Sequence, residues 1–253
     1  MRMCVVAVIA GLCVAVCGVS AQAPPEAQPT APTPTPSASA PQPTVQVAPA
    51  PPRFMVVIDA AHGGDDMGGH LSDGQYEKAA TLALGTRLKS LLGARGIQVT
   101  MTRDGDQSVG MDQRAAVANR ANAQACISLH VAETGSGVHL FASNLPAVNA
   151  SRFMPWRTAQ AGYVTRSLAL TGALNSALQH GSATVTLARV PLPGLDSMTC
   201  PAVAIELAPE RGSDKKVTAE PDSADYQARI AGILATALLE WRAEAGSMGG
   251  RQQ

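Results

Sequence analysis

The chain has 253 residues, with 19 basic and 19 acidic side chains that cancel to a formal net charge of zero, and only 3% of it is aromatic. No basic stretch carries interleaved aromatics, which excludes the usual footprint of a nucleic-acid binder. A hydrophobic fraction of 46% supports one domain with a full core once the termini are set aside.

Residues 1–23 read as a secretory signal peptide. Met1-Arg2 gives a basic start, Cys4 to Val19 an apolar middle and Ser20-Ala21-Gln22-Ala23 a small-residue cleavage site. The apolar run is shorter than the roughly 20 residues that span a bilayer, so cleavage near Gln22 or Pro24 is expected over a retained anchor; a lipid-modified Cys17 is disfavoured because Val16 stands where such signals want a small residue. The protein is then exported and touches a membrane only through this leader. Residues 24–53 hold 11 of the 18 prolines and almost no large apolar side chains. Such a segment buries too little surface to offset its ordering entropy and is expected to be a disordered, extended linker. One domain over 54–245 follows, then a Gly- and Gln-rich tail, 246–253, expected to be flexible.

Six segments of that domain read as strands: Phe54 to Ala60, Ile97 to Arg103, Cys126 to Val131, Val138 to Ser143, Ala183 to Val190 and Pro201 to Leu207. Four read as helices: Tyr76 to Ala94, Asp112 to Gln124 with Asp112 as its cap, Gln160 to Gln179, and Ser223 to Ala245. The alternation predicts an α/β fold with an about six-stranded, largely parallel twisted sheet flanked by helices on both faces. Leu145 to Gln160 and the charged run Asp214 to Asp222 read as loops. Cys126 and Cys200 are the two cysteines left after the leader, and each opens an apolar run. Neighbouring strands could join them, so a disulfide and two buried thiols both stay open.

Polar residues at the ends of these elements carry the chemistry. Phe54 to Gly64 reads F-M-V-V-I-D-A-A-H-G-G, a buried strand that delivers Asp59 and His62 to an edge. Glu77 opens the first helix, His130 ends I-S-L-H, and Glu206 ends P-A-V-A-I-E-L. In parallel sheets such strand exits share one rim, where ligands bind. Two imidazoles and a carboxylate form a zinc set that leaves a position for water, and a second carboxylate supplies a base. Taken singly, each has a structural role open to it: a satisfied core histidine, a charge at a helix start, a partner for an arginine. A glutamate after V-A-I on a central strand is the hardest to explain without a partner or a metal.

These stretches resemble the zinc-dependent N-acetylmuramoyl-L-alanine amidases. V-V-I-D-A-A-H-G-G, G-Q-Y-E-K, C-I-S-L-H and C-P-A-V-A-I-E-L match four of that family's motifs in order, with V-T-M-T-R-D and R-A-A-V-A-N between them. The resemblance implies one zinc per chain held by His62, Glu77 and His130, and Glu206 as general base. It implies hydrolysis of the amide between N-acetylmuramic acid and L-alanine in peptidoglycan, in the periplasm or cell envelope, with an activator or divisome protein as a further partner. Ala61, Val131-Ala132 and Ala208-Pro209 depart from the family pattern, and His139 stands where an acidic residue is common. The changes at Ala132, Ala208 and Pro209 keep in view a degenerate domain that binds peptidoglycan or a division partner without cutting; another zinc amide hydrolase or carboxypeptidase, sharing the metal and differing in the bond cut, is a further reading. His70, His139 and His180 read as neutral surface histidines. Arg103, Asp104, Arg114 and Asn119 read first as structural hydrogen-bonding and ion-pair groups that hold loops in place, with substrate contact as the second reading.

Overall fold

The computed structural model describes residues 54–72, 74–149 and 153–249; the expected leader and linker, and residues 250–253, lie outside them. In chain order the elements are β1 (Met55–Ala60), α1 (Glu77–Gly93), β2 (Gln98–Met101), α2 (Met111–Ala121), β3 (Ala125–Val131) and β4 (Val138–Ser143). A 3-10 helix (Trp156–Gly162) follows, then α3 (Val164–His180), β5 (Val185–Val190), the short α4 (Pro193–Asp196), β6 (Ala202–Leu207), β7 (Glu210–Arg211), β8 (Val217–Ala219) and α5 (Ala224–Gly249).

Six strands form one sheet in the order β2-β1-β3-β6-β4-β5. The first four run parallel. β4 turns back antiparallel to β6, and β5 follows β4. Only Ala132 to Gly137 joins β3 to β4, too short for a parallel crossover, which takes a dozen or more residues. The start of β4 therefore lies at the rim where β3 and β6 end.

The two faces of the sheet are covered differently. On one, Ile58, Ile127, Leu129, Val203, Ile205 and Leu140 meet a thick layer from α1, α3 and α5, including Leu84, Leu88, Leu174 and Leu234. Leu84, Leu88 and Leu92 repeat at helical spacing and are fully buried, each worth about 1.5–3 kcal/mol of transfer free energy. On the other face the side chains are small: Cys126, Ala202 and Ala204 pack with Ala115, Ala118 and the Leu195–Cys200 segment. This thinner layer leaves room for a cleft at the rim.

Several element ends differ from expectation. α2 starts at Met111, with Gly110 before it and the Gln113 side chain accepting the Gly110 N–H, so Asp112 lies in the first turn and is not the cap. α2 also stops at Ala121, where Asn122 takes up a left-handed conformation with φ 48°. The third helix begins at Val164, because Gln160 is buried and its amide donates to the Met198 and Cys200 carbonyls. The segment before it, expected as loop, closes in the 3-10 helix. Within the charged run, Val217–Ala219 pairs with Glu210–Arg211 as a small hairpin turning through Lys215 at φ 64°. α5 continues to Gly249, past the expected end at 245. Cys126 and Cys200 form a disulfide, with Cα atoms 6.1 Å apart. It ties β3 to the entry of β6, where Cys126 also donates its N–H to the Pro201 carbonyl.

Candidate metal centre and active site

His62 leaves β1 with φ 61°, a left-handed conformation that costs a non-glycine residue about 1–3 kcal/mol. Two buried arginines hold it there. Arg114 donates to the carbonyls of Ala60 and His62, and Arg103 to those of Ala60, Ala61 and Lys78. Arg114 is in turn held by Asp59 at 2.6 Å, and Asp59 also accepts from Thr102 and Ser128. This confirms the structural reading of both arginines. Asp104 pairs with Lys89 at the surface, and Asn119 bridges Ser197 and Thr199.

Glu77, at the first turn of α1, is 7% exposed and joins the two histidines. Its Oε2 lies 3.0 Å from His62 Nε2 and accepts from the Gly69 N–H; its Oε1 lies 3.0 Å from His130 Nδ1 and accepts from the Val131 N–H. Gly68 permits this approach, since a Cβ there would sit 2.7 Å from His62 Cδ2 and 2.8 Å from Glu77 Cβ. One donor atom from each of His62, Glu77 and His130 falls within 4.8 Å of the others, so the group could hold a metal ion.

The charge pattern fits such an ion. His62 Nδ1 faces Asp66 Oδ1 at 2.8 Å while Nε2 faces Glu77. A carboxylate only accepts, so Nδ1 donates to Asp66 and Nε2 meets a second carboxylate that a cation must separate from it. In metal-free protein a proton can take that place: the hydrogen bond to Glu77 raises the His62 pKa above 6.5 against the opposing effect of burial, and Asp66 adds to the rise. Burial alone would raise the Glu77 carboxyl, but the hydrogen bonds from His130, His62 and the Gly69 N–H together hold it well below the usual carboxylate range. His130 Nε2 lies 3.4 Å from the Ser128 hydroxyl, which donates to Asp59.

Glu206 is the register partner of His130 on the next strand, about 4.8 Å away across the ladder. All four residues singled out in the sequence thus meet at one rim. Two neighbours were not read correctly from it. Asp66 was not singled out, although it follows H-G-G at helix-like spacing from His62. His139 is no surface histidine: its side chain is 17% exposed and its Nδ1 lies 2.8 Å from Glu206 Oε1. His70 and His180 do lie at the surface. The departures from the family pattern sit in backbone hydrogen bonds. Ala132 donates to Leu207, Ala208 to Gly137, Gly137 to Pro209, and Ala61 to Leu129.

A cleft of about 520 Å3 opens beside the trio, with His62, Asp66, Ser128 and His130 on its polar side and Met111, Leu192, Pro193 and Met198 on its apolar side. It suits a ligand with a polar backbone and small apolar groups.

A family model described as N-acetylmuramoyl-L-alanine amidase matches residues 56–240. N-acetylmuramoyl-L-alanine amidase AmiA of Escherichia coli is 34% identical over 76 residues, 30% of this chain and 26% of that protein. The match thus spans about a quarter of the length of that curated relative. Among solved structures, the amidase Ami1 from Mycobacterium smegmatis superposes with a TM-score of 0.59 at 21% identity, over 76% of this chain and 97% of that one. The CwlD amidase from Clostridioides difficile, solved in complex with the GerS lipoprotein, does so with a TM-score of 0.56 at 18% identity, over 76% and 99%. Two structures at such identities share the fold, and the family match covers most of the chain: it belongs to the N-acetylmuramoyl-L-alanine amidase family.

Proposed function

We propose that this chain is an exported zinc hydrolase that cleaves the amide between N-acetylmuramic acid and L-alanine in peptidoglycan, in cell-wall remodelling or daughter-cell separation. The observation that carries the reading is the cluster of His62, Glu77 and His130 with Glu206 in register on the next strand. His62, Glu77 and His130 would hold one zinc ion, which when bound would supply Lewis-acid polarisation of the amide carbonyl and of water. Asp66 and Ser128 orient the two imidazoles. Glu206 takes a proton from the attacking water and passes it to the leaving nitrogen. One C–O bond forms, the C–N bond breaks, and the stem peptide leaves with a free amine. The cleft beside the trio takes the substrate, its apolar side meeting the lactyl and alanyl methyl groups. The leader read over 1–23 supports a place in the periplasm or envelope. Among the described residues no helix is long and apolar enough to cross a membrane. A protein activator or division partner belongs to the same proposal.

Purified cell wall digested with the zinc-loaded full chain tests this. Mass spectrometry should find intact stem peptides beginning at L-alanine and glycan that keeps its lactyl groups. Glu206→Gln should lower the rate by about 10²–10⁴-fold with zinc still bound; unaltered activity refutes the assignment of the base. Stem peptides shortened from their far end identify a carboxypeptidase instead, and tight muropeptide binding without product identifies a binding domain.

A further inference from the structure

We propose that His139 is a positioning residue for Glu206, a role that rests on the reading of Glu206 as general base. The antiparallel turn of β4 creates the pair. His139 is the register partner of Glu206 across the β4–β6 ladder, and Glu206 is the register partner of His130 across β3–β6. One row across three strands therefore carries His130, Glu206 and His139, on the same side of the sheet. The outer histidine points inward at the carboxylate, with Nδ1 2.8 Å from Oε1.

The ring is held from other directions too. Phe141 meets it edge-on, with centroids 6.2 Å apart and planes at 78°. Gly135, at φ 98°, brings its backbone so close that a Cβ would lie 2.7 Å from His139 Cε1. The loop that carries Gly135 is fixed by Arg211, which donates to the Gly135 carbonyl, and by the mutual bonds of Gly137 with Ala208 and Pro209. A side chain locked by such packing has little rotamer freedom left to lose when it bonds its partner.

Chemistry then sets the roles of the atoms. An ionised carboxylate only accepts, so His139 carries its proton on Nδ1 and donates it to Oε1. Oε1 is thereby occupied, which leaves Oε2 to exchange protons with water and the leaving nitrogen. A glutamate that is 30% exposed at the end of a strand would otherwise sample several rotamers, only one of them aimed at the water. Misplacing a catalytic group by about 1 Å costs on the order of a hundredfold in rate.

The test compares His139→Ala and His139→Asn with wild type in the zinc-loaded full chain, with metal content and kinetics on soluble muropeptide measured together. The alanine variant should lose about 10–100-fold in kcat with KM and zinc stoichiometry unchanged. Asparagine should recover a large part, because its Nδ2–H stands where the Nδ1–H did. In metal-free protein, long-range proton–nitrogen correlation should show wild-type His139 protonated at Nδ1, and that preference should vanish in Glu206→Ala. Wild-type kcat in His139→Ala, a loss confined to KM, loss of zinc, or protonation at Nε2 in wild type would each overturn the role. If Glu206→Gln is inactive while His139→Ala is fully active, only this inference fails; if Glu206→Gln is fully active, the base assignment fails first.

Discussion

Asp66→Ala separates metal holding from folding. Asp66 accepts from His62 Nδ1 at 2.8 Å and from the Gly68 N–H at 3.2 Å, and its side chain is 65% exposed. An ion pair that open contributes about 0–1 kcal/mol to stability, so the melting temperature of the metal-free protein should hardly move. The metal should respond more. A carboxylate behind a ligating histidine fixes its tautomer and raises its basicity, and losing it costs about 10–100-fold in affinity, or about 1.4–2.7 kcal/mol. One effect opposes this: Asp66 also helps to raise the His62 pKa, so its removal weakens proton competition for Nε2. The measurement therefore belongs on the alkaline side of the raised His62 pKa, where that competition is weak. Zinc titration against a competing chelator reads the affinity, with a thermal melt of metal-free protein beside it. An affinity within about twofold of wild type would refute the orienting role. A stability loss well beyond 1 kcal/mol would show that Asp66 builds the loop instead.

Removing the Asp59 carboxylate by Asp59→Ala strands Arg114 without its buried partner and should cost about 3–5 kcal/mol in urea unfolding; a loss below 1 kcal/mol would show that the carbonyl bonds of Arg114 suffice. The raised His62 pKa gives two opposite pH trends between 6.5 and its raised value. In metal-free protein the stabilisation from protonated His62 is present in full below pH 6.5 and is lost as pH rises through the folded value, while zinc affinity rises over the same window as the proton leaves. Parallel trends in melts and zinc titrations would contradict the assignment. Replacing both Cys126 and Cys200 by serine reopens a link 74 residues apart in sequence, worth about 4 kcal/mol in the chain-entropy model. The protein should unfold at lower denaturant yet still bind zinc, and loss of zinc from the folded mutant would place the bond in the metal centre.

What the sequence made legible followed from strong local patterns. β1, β3 and β6 are apolar runs because both faces of a central strand are covered, and each ends in a polar side chain at the rim. That pattern marked His62, His130 and Glu206 directly, and Glu77 stood at the start of a clear helix. Element ends were less legible because tertiary contacts set them. Gln160 is drawn away from α3 by two carbonyls of the Met198–Cys200 segment, partners nearly 40 residues away that no local pattern announces.

His139 was misread for a different reason, and its signal was present. The stretch V-H-L-F-A-S alternates, with Val138, Leu140 and Ala142 buried, so His139 lies on the opposite face of the sheet, which by itself suggests solvent. But β3 ends at Val131 and β4 begins at Val138, and a loop that short forces β4 to turn back. In a strand that turns back, the first residues, not the last, lie beside the ends of the parallel strands. His139 is the second residue of β4, so the same geometry that gives the metal ligands their rim also delivers it to Glu206. The face opposite the thick helical layer is where the site opens, and a side chain there faces the cleft rim as readily as bulk water. Topology, more than residue type, distinguishes a surface histidine from one that holds a carboxylate in place.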